Sequence, residues 1–283
     1  MARGTEIGGQ SPPARSATDR DGRDDRQPST KGSRRRFRPG WGLVPILLLL
    51  GVWEVLPRLA HGVSYGLLPP FSDVVAEGWR LLVSGVLVRN YLSSLLRVII
   101  GFTAGTITGI ALGILMGWRE NLGRTLRPLV SIFYPIPAIG WVPLLMLWIG
   151  INDLLPITVI YICSFFPVLY TTIAGVRSVD KDYVRVARSL GASEAHVLFT
   201  IVVPLSIPHI FTGLRLEAGM AWRVLASAEM IAIPTGIGAL MMKAQSLIRI
   251  DIIIVCLAVL SLMCLLFEKM FAVWEERVTR AWR

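Results

Sequence analysis

The sequence predicts an all-α membrane protein with about six transmembrane helices. Hydrophobic residues make up 53% of the 283 positions and charged residues only 17%, whereas a soluble chain of this length would need far more charged surface. Apolar runs long enough to cross a bilayer recur after Trp41. Their even spread favours one transmembrane domain over residues 41–280.

Residues 1–36 form a basic tail whose composition differs from that of the rest of the chain. Ten of the 29 Lys and Arg residues lie before Gly40, among Ser, Pro and Asp and almost no aromatic residues. Such a segment cannot bury enough apolar area to offset its conformational entropy, so we expect a disordered cytoplasmic tail. We interpret its charge as that of a solvated tail and expect no nucleic-acid partner. No cleaved signal peptide is expected, because the first apolar run starts after residue 40 and is long enough to span.

Six stretches reach the roughly 20 apolar residues that a helix needs to cross about 30 Å of hydrocarbon. They are residues 43–60, 92–117, 128–150, 155–176, 207–232 and 252–272. Lys and Arg in the connecting segments indicate orientation, because they concentrate on the cytoplasmic side. A cytoplasmic amino terminus places sixteen of them inside and five outside. Both termini are therefore predicted to be cytoplasmic, together with residues 183–204.

A shorter amphipathic helix is predicted between the first two spans. Two prolines follow Leu68 and force an extended or turn conformation, and Ser72 is placed to cap a helix that continues to about Leu82. Val75 and Trp79 then share one face with Leu82. We expect this helix to lie along the outer membrane surface.

The second span carries glycines at strict four-residue spacing, at Gly101, Gly105, Gly109, Gly113 and Gly117. Such a row makes a poor helix in water, but in lipid it forms a smooth groove that lets another helix approach closely. The sequence therefore predicts a helix-packing seam. No phosphate-binding loop is predicted, because no Lys-Ser/Thr pair follows the glycines.

Prolines interrupt the third span, which contains Pro135, Pro137 and Pro143 around Trp141. Each proline removes a backbone donor and disturbs the preceding turn, which membrane helices tolerate where neighbours or a water-filled cavity satisfy the freed carbonyls. We expect this helix to be bent or broken. Two roles remain open for Pro137, Trp141 and Pro143, namely packing alone or lining of a transport path.

The fifth span contains charged side chains, which cost about 3 kcal/mol each at the bilayer centre and should face protein or water. One helical face carries Arg215, Gly219, Trp222, Ala226 and Glu229, with Arg223 beside it. We expect these residues, Ala226 excepted, to line a translocation path. Arg97 of the second span falls at the depth of Glu229, because the two helices run in opposite directions, and we predict an ion pair between them.

The interval of residues 183–204, between the fourth and fifth spans, is too polar and basic to lie in lipid. Gly191 stands where a helix would have to break. The apolar positions Val184, Ala187, Leu190 and Ala192 cannot all be buried by so short a helix alone. We therefore expect a partner to cover them, with a helix lying on the lipid surface as the alternative.

This interval resembles the cytoplasmic signature loop of permease subunits of bacterial ATP-binding-cassette (ABC) importers. That signature reads Glu-Ala-Ala, three residues, Gly, nine residues, Ile, one residue and Leu-Pro. The matching positions are Ala187, Gly191, Ile201 and Pro204, whereas Val203 replaces the Leu and Arg185-Val186 replace the Glu and first Ala. The run PIPAIGWVPLLMLWIGI and the stretch GLRLEAGMAWRVLASAEM are similar to the nitrate, sulfonate and taurine branch of these permeases.

The resemblance implies the six-helix fold of type I ABC-importer permeases, in the bacterial inner membrane. It also implies a permease dimer that couples to two cytoplasmic ATP-binding subunits and accepts solute from an extracytoplasmic binding protein. ATP and Mg then belong to the partner subunits, and this chain holds no cofactor. The coupling residues that it implies are Ala187, Leu190, Gly191, Ala192, Ser193 and Pro204.

The chain is not expected to be an enzyme. It contains no Gly-x4-Gly-Lys-Ser/Thr motif, and no Ser or Cys nucleophile has a paired base nearby in sequence. Its three His residues are too scattered for a metal site. The three cysteines lie in apolar segments and are expected to be buried small hydrophobes. A channel uncoupled from ATP is a further alternative, but it does not explain the basic, glycine-broken interval.

The solute is predicted to be a small anion, such as a sulfonate, nitrate, bicarbonate or a carboxylate, that Arg223 helps to receive. Glu217 and Glu229 each lie six positions from Arg223, outside the spacing at which residues of one helix pair. The guanidinium therefore has a donor fork to offer to an anion. Two alternatives remain open: Arg223 bonds carbonyls freed by the prolines of the third span, and the solute is a neutral or cationic pyrimidine-type compound.

Overall fold

A computed structural model describes residues 43–59 and 68–280, and the predicted disordered tail lies outside them. The α-helices of the described part are α1 (Leu43–Leu59), α2 (Phe71–Val83), α3 (Val86–Trp118), α4 (Glu120–Phe133), α5 (Val142–Ile149), α6 (Leu154–Ser178), α7 (Lys181–Ser189), α8 (Glu194–Val197), α9 (Val203–Ala232), α10 (Ile237–Ser246) and α11 (Ile250–Arg280). A 3-10 turn (Ala138–Trp141) precedes α5 and a π-helical turn (Leu198–Val202) precedes α9. The chain divides into two units, Met1–Pro45 and Ile46–Arg283. The described part of the first unit is the opening turn of α1.

Four helical stretches of the described residues are long and apolar enough to cross a membrane. They are α3, α6, Glu194–Ala232 and Ile250–Val278. The pair formed by α4 and residues 138–149 is bent by 82° and makes a fifth span if the two parts are counted together. The sequence predicted six. The remaining predicted span is the 17-residue α1, which at 1.5 Å per residue is about 26 Å long and so shorter than a hydrocarbon core of about 30 Å.

The bend between α4 and α5 confirms the break that the prolines predicted. Pro135 and Pro137 lie between α4 and the 3-10 turn, and Pro137 has extended backbone. Pro143 lies in the first turn of α5. A missing N–H costs nothing there, because the first turn of a helix has no internal partner for it.

The three helices α3, α6 and α9 pack together in the core of the molecule. A Cβ on Gly101, Gly105 or Gly109 of α3 would lie 2.6, 2.7 or 2.8 Å from a backbone oxygen of α6. Backbone oxygens cannot move aside without disturbing their helix, so α3 approaches α6 this closely only while these positions lack a side chain. The largest apolar cluster joins Trp222 of α9 to Val98 of α3.

The helix α2 begins at Phe71, two residues before the start at Asp73 that a cap at Ser72 would give. Ser72 does not cap it, and the cap prediction is wrong. The N–H of Ser72 instead donates to Glu54 Oε2 at 3.0 Å, and its hydroxyl donates to Oε1 at 3.0 Å. The carboxylate of α1 therefore takes the bonds that a capping side chain would have supplied.

The predicted apolar face of α2 is its exposed face. Val75, Trp79 and Leu82 are 53%, 67% and 45% exposed. The opposite face, with Val74 and Leu81, is buried. An exposed apolar face fits a helix that lies against the membrane surface.

The helix α9 begins at Val203, four residues before the predicted start of the fifth span. Pro204 lies in its first turn, where proline is well tolerated. The π-helical turn connects this start to α8 without a loop. Residues 194–232 therefore form one nearly continuous helical stretch instead of a loop followed by a span.

Candidate functional site

A buried polar network joins α3 to α9 near one end of the bundle. Arg97 Nη1 donates to Glu229 Oε1 at 2.6 Å, and the two side chains are 5% and 0% exposed, which confirms the predicted pair. Arg97 also donates to Asp153 Oδ1 through Nε at 3.1 Å and to the carbonyl oxygen of Thr235 at 2.8 Å. A buried guanidinium is stable here because several of its donors have acceptors.

The same network fixes the start of α10. Ser94 Oγ donates to Glu229 Oε1 at 2.8 Å, and the N–H of Gly238 donates to Glu229 Oε2 at 3.0 Å. The N–H of Ile237 donates to Ser94 Oγ at 3.0 Å. Both oxygens of Glu229 are thereby bonded within the chain. Its predicted place in a translocation path is not supported, because Glu229 is 1% exposed and closed off from any open surface.

Two further positions predicted for the path also lie in the core of the chain. Trp222 is 1% exposed and stacks on Tyr91 of α3, with ring centroids 6.5 Å apart. Gly219 lies against α11, where Cys264 Sγ donates to its carbonyl oxygen at 3.6 Å. The predicted path-lining face is therefore the face by which α9 packs on its neighbours. Arg215 is the exception, because it is half exposed and lies 3.8 Å from Glu275 of α11.

A different face of α9 remains open and carries Arg223. The exposed residues of this open stripe are Thr212, Leu216, Met220, Arg223 and Ile231. Arg223 Nη1 lies 3.6 Å from Met220 Sδ, and Arg223 forms no ion pair with any residue that the structure describes. A guanidinium cannot face lipid at this depth without a large cost. The open stripe must therefore meet water or another protein surface.

A cavity of about 250 Å³ lies beside the open stripe. Pro135 and Pro137 of the broken span form one wall, and Glu217 and Met220 of α9 form another. Glu217 is 8% exposed, and its Oε2 accepts from Cys163 Sγ at 3.7 Å. No Lys or Arg of the described residues forms an ion pair with Glu217. The one sequence signal for Glu217 was that it is an acidic residue inside an apolar span. Its cavity could not be predicted from sequence, because the cavity depends on where the distant broken span packs against α9.

Of the three positions predicted in the third span, the structure brings only Pro137 to this cavity. Trp141 packs on Phe133, with ring centroids 5.9 Å apart. Pro143 is exposed in the first turn of α5. The bend of the chain between α4 and α5 separates the three, so they do not form one lining surface.

At the other end of the bundle, α7 and α8 form a helix–turn–helix. Gly191 has φ +84°, which confirms the predicted helix break. The N–H of Ala192 donates to the oxygen of Ala187 at 3.1 Å and that of Gly191 to Arg188 at 2.9 Å, the pair of bonds that closes a helix ending in a left-handed residue. Ser193 Oγ then accepts from His196 N–H at 3.3 Å and starts α8.

The apolar residues of this segment divide between two faces. Val184, Ala187 and Ala192 pack on an internal cluster that contains Val197 and Val202. Their own chain therefore covers these three in part, since all three are half-buried, and the expected partner contact remains a prediction. Leu190 is 83% exposed. Pro204 lies beyond the segment, in the first turn of α9.

Two further apolar residues near Leu190 are exposed, although their sequence pattern did not mark them as coupling candidates. Tyr183 and Val186 are each 60% exposed. Their spacing of three and four places them with Leu190 on one side of α7. We call these three residues the exposed apolar face of α7.

Arg188 ties this segment to the rest of the molecule. Its Nη2 lies 2.8 Å from Glu194 Oε1, and its guanidinium lies 5.8 Å from the ring centre of Trp118 at the end of α3. Within residues 43–59 and 68–280, no group of three or more His, Cys, Asp or Glu side chains could hold a metal ion. The described residues therefore offer surfaces for docking and single charged side chains for binding a solute.

Comparison with known proteins finds one family profile, two relatives by sequence and one solved structure that resemble this chain. The sequence profile described as binding-protein-dependent transport system inner membrane component matches residues 109–280. The taurine transport system permease protein of Escherichia coli is 32% identical over 239 residues, which cover 83% of this chain and 86% of that protein. A nitrate import permease protein of Synechocystis sp. is 31% identical over 248 residues, which cover 84% of this chain and 88% of that one. A chain of the MetNI methionine ABC transporter, solved in inward-facing conformations, superposes with a TM-score of 0.54 at 14% identity, over 68% of this chain and 97% of its own.

Proposed function

The chain belongs to the family of binding-protein-dependent transport system inner membrane components, and we propose that it forms half of the membrane path for a small anionic solute. As a member of this family it is a multi-pass permease component of an ABC importer and not an enzyme. Its likeness to the methionine transporter chain confirms the permease fold that the sequence predicted. Relatives named for taurine and nitrate transport support a small anion as the solute.

The observation that carries this proposal is the exposure of Arg223 within an apolar helix. Arg223 lies roughly 9 Å farther from the end of α9 at Ala232 than Glu229 does, at 1.5 Å per residue, and so within the apolar span. Unlike Arg97, it has no buried carboxylate beside it in the described chain. Its planar donor fork suits the oxygens of a sulfonate, nitrate or carboxylate.

The open stripe also supports a dimer. Leu216, Met220 and Ile231 are 62%, 41% and 58% exposed around Arg223, so a surface that is partly apolar surrounds a charge. A second copy placed against the stripe would cover the apolar residues and leave the two Arg223 side chains facing a shared, water-filled gap. Closed two-fold symmetry is the commonest arrangement of such pairs. The cavity beside Glu217 would then open toward the same gap.

The exposed apolar face of α7 supplies the contact with a cytoplasmic ATP-binding subunit in this proposal. Tyr183, Val186 and Leu190 dock on that subunit, and Gly191 and Ser193 hold the turn that presents them. Each permease copy engages one such subunit, and ATP and Mg are bound there. The contact of Arg188 with Trp118 then transmits the movement of the segment to α3.

The proposed orientation follows the distribution of Lys and Arg, with α7 on the cytoplasmic side. The solute-binding protein would then meet the opposite end of the bundle, where α2 and α10 lie. The buried network of Arg97 and Glu229 holds that end rigid. Access of solute to the path would therefore depend on movements between the two copies and not within this network.

Uptake by the reconstituted transporter tests the proposal. Proteoliposomes that contain the permease, its ATP-binding subunits and its binding protein are supplied with taurine, ethanesulfonate or nitrate. Arg223→Gln is expected to lower uptake by about tenfold or more, since a hydrogen bond to a charged group contributes about 1.5 to 3 kcal/mol. Arg223→Lys, which keeps the charge without the planar fork, should retain part of the uptake.

Lys269→Gln is the matched control, because it removes one exposed positive charge from α11, away from α7 and from the end that carries α2, and should leave uptake unchanged. Assembly and basal ATP hydrolysis are measured for every variant. Full uptake of an anion by the Gln variant would contradict the role of Arg223. A wild-type transporter that carries none of the three solutes, each of which contains a sulfonate group or is nitrate, would contradict the solute class.

Glu217 favours a second candidate, a neutral or cationic solute. Its carboxylate lies in the cavity beside the open stripe and has no ion-pair partner in the described chain. Glu217→Gln separates the two candidates in the same assay. Uptake of an anion should be unchanged or faster in this variant, whereas uptake of a cationic solute should be lost.

A further inference from the structure

Two adjoining cavities lie at the end of the bundle that carries α7. The larger, of about 590 Å³, is lined by residues from the ends of α3, α4, α6 and α7. The smaller, of about 210 Å³, lies between α4 and α6. They share Gly123, Arg127 and Arg177. Neither cavity includes Arg223 or the exposed apolar face of α7. The proposed function gives a part to two residues of the larger cavity, Arg188 and Trp118, and none to Arg127, Arg177 or Lys181.

The larger cavity is strongly cationic. Its basic residues are Arg124, Arg127, Arg177, Lys181, Arg185 and Arg188. Three of these form ion pairs of 2.7 to 2.8 Å, Arg124 with Glu120, Arg185 with Asp182 and Arg188 with Glu194. The other three, Arg127, Arg177 and Lys181, form no ion pair with any residue in the described ranges. One concave surface therefore presents three positive charges that the chain itself does not neutralise.

The smaller cavity is apolar and leads away from these cations along α4 and α6. Its lining includes Met116, Val130, Ile173 and Ala174. The helices α3 and α6 both end beside the cations, at Trp118 and Ser178, which places the larger cavity where a membrane span meets the headgroup layer. The smaller cavity lies alongside the spans themselves, at the depth of acyl chains.

We propose that the two cavities together bind one anionic phospholipid. Its phosphate lies among Arg127, Arg177 and Lys181, and one acyl chain lies in the apolar cavity. Basic pockets between membrane helices at the cytoplasmic surface are suited to anionic headgroups. A free phosphate would leave the apolar cavity empty. A zwitterionic lipid would bring its own cationic headgroup close to the arginines, which would repel it. Because α4, α6 and α7 all contribute, the lipid would hold α7 against the membrane helices.

Binding is measured by native mass spectrometry on the full chain, purified and delipidated in a neutral detergent. The probes are phosphatidylglycerol and phosphatidylcholine with identical acyl chains, and glycerol-3-phosphate as the headgroup alone. We expect one phosphatidylglycerol per chain to bind more tightly than phosphatidylcholine. Arg127→Gln and Arg177→Gln should each weaken this binding by about fivefold, the effect of one basic residue near an anionic headgroup.

Matched variants separate the site from net charge and from misfolding. Arg89→Gln removes the same charge at the opposite end of α3 and should not change binding, while Arg177→Lys keeps the charge and should retain it. Ala174→Trp fills the apolar cavity and should weaken phosphatidylglycerol but not glycerol-3-phosphate.

Three results would overturn the proposal. Equal affinity for the two lipids, or equal effects of Arg89→Gln and Arg177→Gln, would show that no specific lipid site exists. Glycerol-3-phosphate binding as tight as phosphatidylglycerol, with no effect of Ala174→Trp, would show a site for a free anion. Basic variants that leave lipid binding intact and weaken only the association with ATP-binding subunits would assign these cations to a protein interface.

Discussion

Arg97 and Glu229 connect α3 to α9 through a hydrogen-bonded ion pair of 2.6 Å that is closed off from solvent. The two residues are far apart in sequence, and they also hold the start of α10 through Ser94 and Gly238. Removing one partner of such an ion pair strongly destabilises the protein, because the charge of the remaining partner stays buried.

Single neutral replacements of this pair should therefore destabilise the protein by about 3 to 5 kcal/mol, and the double replacement should cost less than the sum. Arg97→Gln should cost more than Glu229→Gln, since Arg97 keeps Asp153 and Thr235 as acceptors when Glu229 is neutralised. Thermal unfolding of the detergent-solubilised variants measures the cycle. Arg124→Gln, in an exposed pair on α4, is the control, with an expected loss of about 0.5 kcal/mol or less. Additive losses at Arg97 and Glu229 would show that the pair does not act as a unit.

Gly109→Ala should destabilise the protein by about 1 to 3 kcal/mol, because its Cβ would lie 2.8 Å from the oxygen of Phe165 and would push α3 away from α6. Gly51→Ala is the matched control, since a Cβ there meets nothing within 4 Å. That change should stabilise α1 by up to about 1 kcal/mol, as Ala favours helix more than Gly does. The unfolding temperatures of both variants test this prediction. An unchanged unfolding temperature for Gly109→Ala would mean that α3 and α6 have room to separate.

Gly191→Ala should strain the turn between α7 and α8 and uncouple ATP hydrolysis from uptake. The strain follows from φ +84° alone, because a Cβ at Gly191 would meet nothing within 4 Å. A left-handed conformation costs a residue with a Cβ about 1 to 2 kcal/mol. Gly191→Leu should have the larger effect on coupling, since it adds bulk next to Leu190.

The matched control for Gly191 is Gly85, which lies between α2 and α3. It has φ +74°, and a Cβ there would also meet nothing within 4 Å. Gly85→Ala should lower stability by a similar amount and leave the amount of solute taken up per ATP hydrolysed unchanged. Solute-stimulated ATP hydrolysis and uptake are measured together in proteoliposomes. Normal coupling in Gly191→Leu would remove this turn from the coupling mechanism.

Several features of the fold could be predicted from local sequence. Prolines predicted the break between α4 and α5, and Gly191 predicted the end of α7, because both residue types restrict or permit backbone angles directly. The match of depth between Arg97 and Glu229 also followed from counting residues along two antiparallel spans. Composition and the spacing of apolar runs were enough to assign a helical membrane protein.

Other expectations differ from the structure where a distant part of the chain contacts the same group. The capping prediction for Ser72 was wrong, because Glu54 of α1 accepts the hydrogen bonds at the start of α2. Ala187 and Ala192 are half-buried against a cluster that includes Val176 of α6, so their own chain covers them in part. In each case the local pattern was present, but the partner came from elsewhere in the fold.

Residue types and their spacing were enough to group the residues of each helical face, to place the helix breaks and to identify the charges that must avoid lipid. Long-range packing was needed to show that Trp222 and Glu229 lie in the core while Arg223 lies on an open stripe of the same helix. The cause is that a membrane helix is apolar on the side that meets lipid as well as on the side that meets protein. Periodicity therefore groups the residues of each face, whereas the packing of α3, α6 and α11 against α9 decides what each face meets.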